Sequence, residues 1–394
     1  MKEVGKYISI AGLLVFTASA TTTIVGQEAG LVLMFVGWLI LWRSGWVSGM
    51  RRLSLELPLA ALAAAWGLST LFALEPTASL VNMKKLLLVP IAYGFAWLVE
   101  SERILKTVVM LMLAVALMVS LYGIVGYAGG YGLEESYRVR ATLSSTVTLA
   151  GVLLFVFAIS LSLTLFTNAL RERIFLLPVT ILSFVCLILT FTRGAWLGAS
   201  VALVVTLARV GGRKRLVFLV LIAVLIAAPL LSERVTERAA SITDVHEMSI
   251  RGRVSMWLSA TQMAKDNVLF GVGLMDLGKV YDEYRRSDSG FRSGHMHSSF
   301  FHILASTGVV GLLAFLWFLY SICALLVRNF ALTSGRPGFL NGVCLGAIAG
   351  FCAFVVAGVF EWNFGDAEVV SMLYCVVGLT CACERIQSSG GEIA

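Results

Sequence analysis

Charge is scarce in this chain. Of its 394 residues, 13% are Asp, Glu, Lys or Arg and 59% are hydrophobic, whereas an average soluble domain is roughly 25% charged. So little polar surface cannot cover so much apolar surface. This excludes a water-soluble globule, a disulfide-stapled secreted domain and a disordered tail, and the excess is expected to face a bilayer. Histidine is also rare, at 4 residues, and the 7 cysteines all fall in apolar stretches or near the C-terminal end. None lies in the long polar segment, so disulfides are not expected there, and Cys381 and Cys383 read as packing residues without metal-ligand spacing. No internal repeat of roughly 20–50 residues and no matching pair of broken helices is visible, which weakens a transporter built from inverted repeats.

What the sequence does contain is a succession of apolar runs. Twelve read as membrane spans, at roughly 7–24, 29–42, 55–74, 80–99, 104–126, 143–166, 174–191, 195–208, 216–231, 299–327, 339–360 and 368–383. A bilayer-crossing helix needs about 20 such residues; the second and eighth runs are short. With the N-terminus in the cytoplasm, 16 of the 30 basic residues fall inside and five at short outer loops and helix ends. The other nine sit in one long outer segment, which the positive-inside rule discounts. This bias sets both termini in the cytoplasm. It also accounts for most of the net charge of +7, so no nucleic-acid partner is required. Lys2, Lys6, the apolar run Tyr7 to Phe16 and Ala18-Ser19-Ala20 imitate a signal peptide, although an uncleaved first helix is expected in a polytopic chain. The reading is an all-α polytopic membrane protein. Helices occupy 1–231, one large outer loop 232–298, and further helices with a cytoplasmic C-terminus 299–394.

The outer loop carries His246, His295 and His297, and His302 follows one turn into the next helix. Connections this long tend to be functional or disordered, and the apolar content here argues against disorder. Residues 250–265 read as an amphipathic helix with Ile250, Val254, Trp257 or Leu258, Thr261 and Ala264 on one face. Gly271-Val272-Gly273 follows it. Such a helix suits a membrane surface, where Arg234 and Arg238 can snorkel to lipid phosphates. Arg193 stands between two apolar runs with almost no loop, where a charge either marks a functional site or meets a lipid phosphate. Lys84 and Lys85 oppose the positive-inside bias, which suggests an anionic ligand or a lipid headgroup. His297 has the chemistry of a general base at neutral pH. His295 lies two residues away without a third convergent ligand, so no metal site is expected. The short outer loop from Phe360 to Glu368 holds Glu361, Asp366 and Glu368. These carboxylates can orient a histidine, bind hydroxyls or pair with an arginine, or form a plain solvated turn.

Three elements, in this order, resemble motifs of the O-antigen ligase and O-antigen polymerase superfamily. Thr192-Arg193-Gly194-Ala195-Trp196-Leu197-Gly198 resembles its (S/T)RGAWLG element. Arg253-Val-Ser-Met-Trp257, followed by Asp266-Asn-Val-Leu-Phe-Gly-Val-Gly273, resembles its R-x-x-x-W…GvG stretch. His297-Ser298-Ser299-Phe300-Phe301-His302-Ile303-Leu304, then Gly308 and Gly311, resembles its H-(N/S)-x-x-L…G…G element, with Ser298 where Asn is commoner. The resemblance implies a C-type (GT-C) glycosyltransferase of the bacterial inner membrane, multi-pass and with its active site facing the periplasm. It further implies transfer of a glycan from undecaprenyl diphosphate to the lipid A-core oligosaccharide, without metal or other cofactor. On this resemblance His297 is the base. Arg193 and Arg253 clamp the diphosphate, Arg251, Lys84 and Lys85 assist, and Glu361 and Asp366 meet substrate. Trp257 either stacks on a sugar or anchors the amphipathic helix. An O-antigen ligase is favoured. A polymerase of O-antigen or exopolysaccharide would use the same donor, and a lipid-linked glycan transporter would need charges along a path through the bilayer rather than at its mouth.

Overall fold

The computed structural model describes residues 1–45, 52–134, 138–167, 169–209, 212, 248–285, 293–334 and 338–391. The run expected at 216–231, together with Arg234, Arg238 and His246, lies outside these described residues. Helices α1 (Lys2–Ser19) and α2 (Ile24–Arg43) form a hairpin, followed by α3 (Glu56–Leu71) and α4 (Pro76–Asn82). A 3₁₀ turn (Met83–Leu88), α5 (Pro90–Leu98) and α6 (Glu102–Gly129) come next. Two short strands, β1 (Leu133–Glu134) and β2 (Arg138–Val139), pair antiparallel with Glu134 opposite Arg138. The remaining helices are α7 (Thr146–Phe166), α8 (Leu170–Leu189), α9 (Arg193–Leu207), α10 (Met248–Asp266), α11 (Gly278–Tyr284), α12 (Ser299–Thr333), α13 (Phe339–Phe360) and α14 (Ala367–Gly391).

Seven of these helices, α2, α6, α7, α8, α12, α13 and α14, are long and apolar enough to cross a membrane. The other described runs are less simple. Helices α3 and α9 are shorter apolar helices. The run at 80–99 is not one helix. Pro90 has no N–H to bond the Leu86 carbonyl, and Val89 takes that carbonyl instead in a 3.2 Å 3₁₀ bond. The chain therefore breaks into the end of α4, the 3₁₀ turn bearing Lys84 and Lys85, and α5.

The core is built around α7, whose apolar window is 94% buried. Helix α13 lays Gly342, Gly346 and Gly350 along it, one every fourth residue and so on one face. A Cβ added at Gly346 would lie 2.6 Å from the Ile159 Cα. Any side chain there would push the two helices apart, which is the reason small residues dominate close helix contacts in lipid.

Helix α12 is interrupted at Gly308, where φ is 64° and ψ −165°. That break frees carbonyls for the outer loop. Val272 N–H bonds Ala305 O at 3.0 Å and Gly273 N–H bonds Ser306 O at 2.9 Å, while Val309 N–H bonds Val268 O at 2.9 Å. A Cβ at Gly308 would meet the Leu269 carbonyl oxygen at 2.4 Å, so close approach and positive φ both demand glycine. The Gly271-Val272-Gly273 turn is thus stitched to the kink of α12, and this holds the chain just beyond α10 against that helix.

Helix α10 covers the segment read as amphipathic, but it buries a different face. Met256, Ala260 and Met263 pack with Val272, Leu277, Tyr281 and Met296 in a second core. Val254 and Leu258 remain exposed. Two apolar stripes compete in this sequence, and the one that α11 and Met296 can cover is the one buried.

Candidate active site

Several helix ends meet at one end of the bundle: the starts of α7, α9, α12 and α14 and the end of α13. Three of these four starts, those of α7, α12 and α14, are capped by side-chain oxygens. Ser145 accepts from Thr148 N–H at 3.1 Å, Ser298 from Phe301 N–H at 3.5 Å, and Asp366 from Glu368 N–H at 3.1 Å. These are N-cap interactions that satisfy donors a helix cannot satisfy itself.

At the centre is Glu361, only 5% exposed. Its Oε1 accepts a hydrogen bond from Arg253 Nη2 at 2.5 Å. Its Oε2 lies 3.6 Å from His297 Nδ1, a distance for an ion pair rather than a hydrogen bond. Burial by itself raises the Glu361 carboxyl. The His297 imidazole and the Arg253 and Arg138 charges outweigh it, and hold the group below the usual carboxylate range. The turn bearing Glu361 is pinned to α12. The Ser299 hydroxyl is within donating distance of Glu361 O (3.1 Å) and Asn363 Oδ1 (2.8 Å), and Asn363 Nδ2 donates to Phe354 O at 2.8 Å.

His297 is half-buried and sits at φ 44°, in the left-handed region. A non-glycine residue is held there only when its surroundings over-determine it. Ser293 Oγ lies 3.5 Å from His297 Nε2. His295 Nδ1 accepts from the His297 N–H at 3.3 Å, and the two rings meet edge to face at 4.2 Å. Burial, and then the neighbouring His297, push His295 down to about 4. His295 is therefore neutral at ordinary pH, with its proton on Nε2 because Nδ1 is the acceptor.

A second arginine lies on the same flank. Arg138 donates from Nε to Thr190 O at 3.0 Å and from Nη2 to Thr192 Oγ1 at 3.1 Å. Burial lowers it, Glu134 and Glu361 raise it and Arg253 lowers it again, for a net fall. Arg193 is buried at the first turn of α9, and a Cβ at the next residue, Gly194, would meet Glu361 Cγ at 3.6 Å. Arg138 and Arg253 thus both act on one carboxylate, and α9 begins beside it at Arg193 and Gly194.

The remaining candidates are distributed unevenly. Trp257 braces the histidine loop: its Nε1 donates to Met296 O at 3.1 Å and its ring stacks on Phe301 at 5.1 Å. Asp366 caps α14 and accepts a short hydrogen bond from Thr148. Arg251 and Lys84 are exposed. Lys85 is apart from the arginines; its Nζ lies 5.1 Å over the Trp362 ring and borders a cavity of about 270 Å³ shared with His295, His302 and Trp66. Among the described residues no three His, Cys, Asp or Glu side chains form a metal-binding group. Sequence reasoning singled out neither Arg138 nor this cavity. The signal for Arg138 was present, since a basic residue on the outer side opposes the positive-inside bias just as Lys84 and Lys85 do.

Chemically, the cluster offers an oriented imidazole, a buried carboxylate to balance its protonated form, and the guanidinium groups of Arg138 and Arg253. Residues 178–316 match the family model described as O-antigen ligase. That interval takes in Arg193, Arg253 and all three described histidines, whereas Glu361, Lys85 and Arg138 lie outside it. No curated protein matches the chain.

Proposed function

We propose that this chain, as a member of the O-antigen ligase superfamily, is a glycosyltransferase that moves a glycan from undecaprenyl diphosphate to the lipid A-core oligosaccharide at the periplasmic face. The observation that carries this reading is Glu361 holding His297 on one oxygen and Arg253 on the other.

In the reaction an acceptor hydroxyl attacks the anomeric carbon. The new glycosidic C–O bond forms as the bond to the diphosphate oxygen breaks, and the electron pair leaves with the diphosphate. The hydroxyl is a poor nucleophile until a base takes its proton. His297 does this through Nε2, with Nδ1 turned to Glu361, whose negative charge stabilises the imidazolium that results. The leaving diphosphate gains charge, which fixed guanidinium groups stabilise without reorganising. Arg253 has five N–H donors and among the described residues spends one on Glu361, which leaves others for phosphate oxygens. Arg193 completes the clamp, and no metal is needed in this scheme. A single displacement inverts the anomeric configuration.

The test is lipopolysaccharide from a host lacking this gene, with either the wild-type or a His297→Ala copy restored. The expected result is core without O-antigen and polymer accumulating on the lipid carrier, rescued only by the wild type. Core bearing a single repeat unit would instead identify a polymerase. A normal ladder in every strain would overturn the reading, and purified protein that moves lipid-linked glycan without forming a bond would replace it with transport.

A further inference from the structure

The cavity beside His295 is not used by the mechanism above, and it has unusual chemistry. Trp66 of α3 is 3% exposed and His302 of α12 is 6% exposed. Both line the cavity, and Trp66 Nε1 and His302 Nδ1 have no hydrogen-bond partner among the described residues. Buried polar atoms left unpaired cost roughly 1–3 kcal/mol each, so two in one cavity point to a ligand that pairs them. The wall is aromatic: the His302 and Trp362 rings stack at 3.8 Å and 28°. Lys85 stands over Trp362 and forms no ion pair among the described residues. Asp366 attracts the Lys85 ammonium without forming a contact ion pair with it. Asp366 is held by Thr148 and backbone N–H groups, and Asp276, exposed at the rim, accepts from Gly278 N–H at 2.9 Å. A half-buried cation whose nearest carboxylate makes no contact ion pair with it gains from an anion placed against it.

Position narrows the occupant. His297 meets this cavity through His295, while its other side faces Glu361 and, through it, Arg253. In a single displacement the nucleophile and leaving group lie on opposite sides of the reacting carbon. The arginine flank takes the diphosphate, and the cavity falls on the nucleophile's side. We propose that the cavity is the acceptor subsite, and that it selects one sugar ring bearing an anionic group, phosphate or carboxylate, which Lys85 recognises. The ring lies against Trp362 and His302, and its hydroxyls pair Trp66 Nε1 and His302 Nδ1. This assignment of the acceptor side rests on the transferase reading, but the selectivity for an anionic sugar does not.

The experiment is a calorimetric titration of the purified full-length protein in detergent with glucose 6-phosphate, glucuronate, glucose and inorganic phosphate. Both anionic sugars should bind at least about tenfold more tightly than glucose, a difference of about 1.4 kcal/mol, and inorganic phosphate more weakly than either. Lys85→Met should abolish the preference, Lys85→Arg should retain most of it, and Trp66→Phe should weaken every sugar alike. If Lys85→Met fails to fold, the decision passes to the wild-type preference and to Trp66→Phe. Equal binding of glucose and glucose 6-phosphate, no sugar binding, or displacement of the sugar phosphate by phosphatidylglycerol in the micelle would overturn the proposal. Binding needs no donor. Selective binding without transfer activity would therefore sink the transferase reading and spare the cavity, and transfer without selectivity would do the reverse.

Discussion

Helix α13 presents two opposite environments along its length. Its middle meets α7 through Gly342, Gly346 and Gly350, in a contact with no charged side chain on either helix. Immediately beyond its last residue the chain buries Glu361 against a histidine and an arginine. The first environment gains from close packing and dispersion. The second gives stability away, because each ion taken from water costs several kcal/mol that only good pairing recovers. His297, at φ 44°, adds backbone strain at the same place. The packed region can therefore be read as the scaffold whose surplus stability tolerates the charged one, and substitutions should separate the two.

The largest separation is expected at His297. His297→Ala should lower transfer by about 10²–10⁴-fold, the usual worth of a general base, while thermal melting of the purified protein stays close to wild type. A melting loss as large as the activity loss would mean the histidine is chiefly structural. Glu361→Ala should damage both properties, since removing one member of a buried pair costs about 3–5 kcal/mol. This contribution has a definite pH sense. The Glu361 carboxyl is held below its ordinary value, so its stabilisation is complete above the unfolded carboxylate value near 4.3 and is lost as pH falls through the folded value. Wild-type melting should fall in acid more steeply than that of Glu361→Gln; parallel curves would contradict the burial and pairing described.

Much of the scaffold was legible because apolar runs report helices directly. Among the described residues, seven of the expected runs appear as helices long and apolar enough to cross a membrane. The run at 80–99 was misread because Pro90 looks harmless within an apolar stretch; only the missing N–H reveals the break. The buried face of α10 was misread because Met256, Ala260 and Met263 compete with the Val254 stripe, and the choice belongs to distant partners such as Met296. Arg193, Arg253 and His297 were legible through motifs within the matched interval. Arg138 carried only the weak signal of a basic residue on the outer side, since its partners Thr190 and Thr192 lie more than 50 residues away. Glu361 could be seen as one of three carboxylates in a short loop, but nothing in the sequence says that it, and not Asp366, turns toward His297.

In the packed region Gly346→Val should cost about 1–3 kcal/mol by overpacking, because its new atoms meet the Ile159 backbone. Activity per folded molecule should stay unchanged, measured by normalising transfer to the melting-competent fraction. A selective activity loss would mean that the α7 contact positions the site more directly than packing alone implies.

The smallest effect is expected at His295, and it sharpens the distinction within the charged region itself. His295 and His297 touch, so the base has to be told apart from its neighbour. Burial places His295 at about 4, and it is neutral throughout the range of about pH 5 to 8 where an ordinary histidine changes charge. His295→Gln keeps an acceptor near the His297 N–H and should leave the shape of the pH–rate profile intact over that range, with only a modest change in rate. A shifted acid limb would show that the two imidazoles share one proton, and the general base would then be the pair rather than His297 alone.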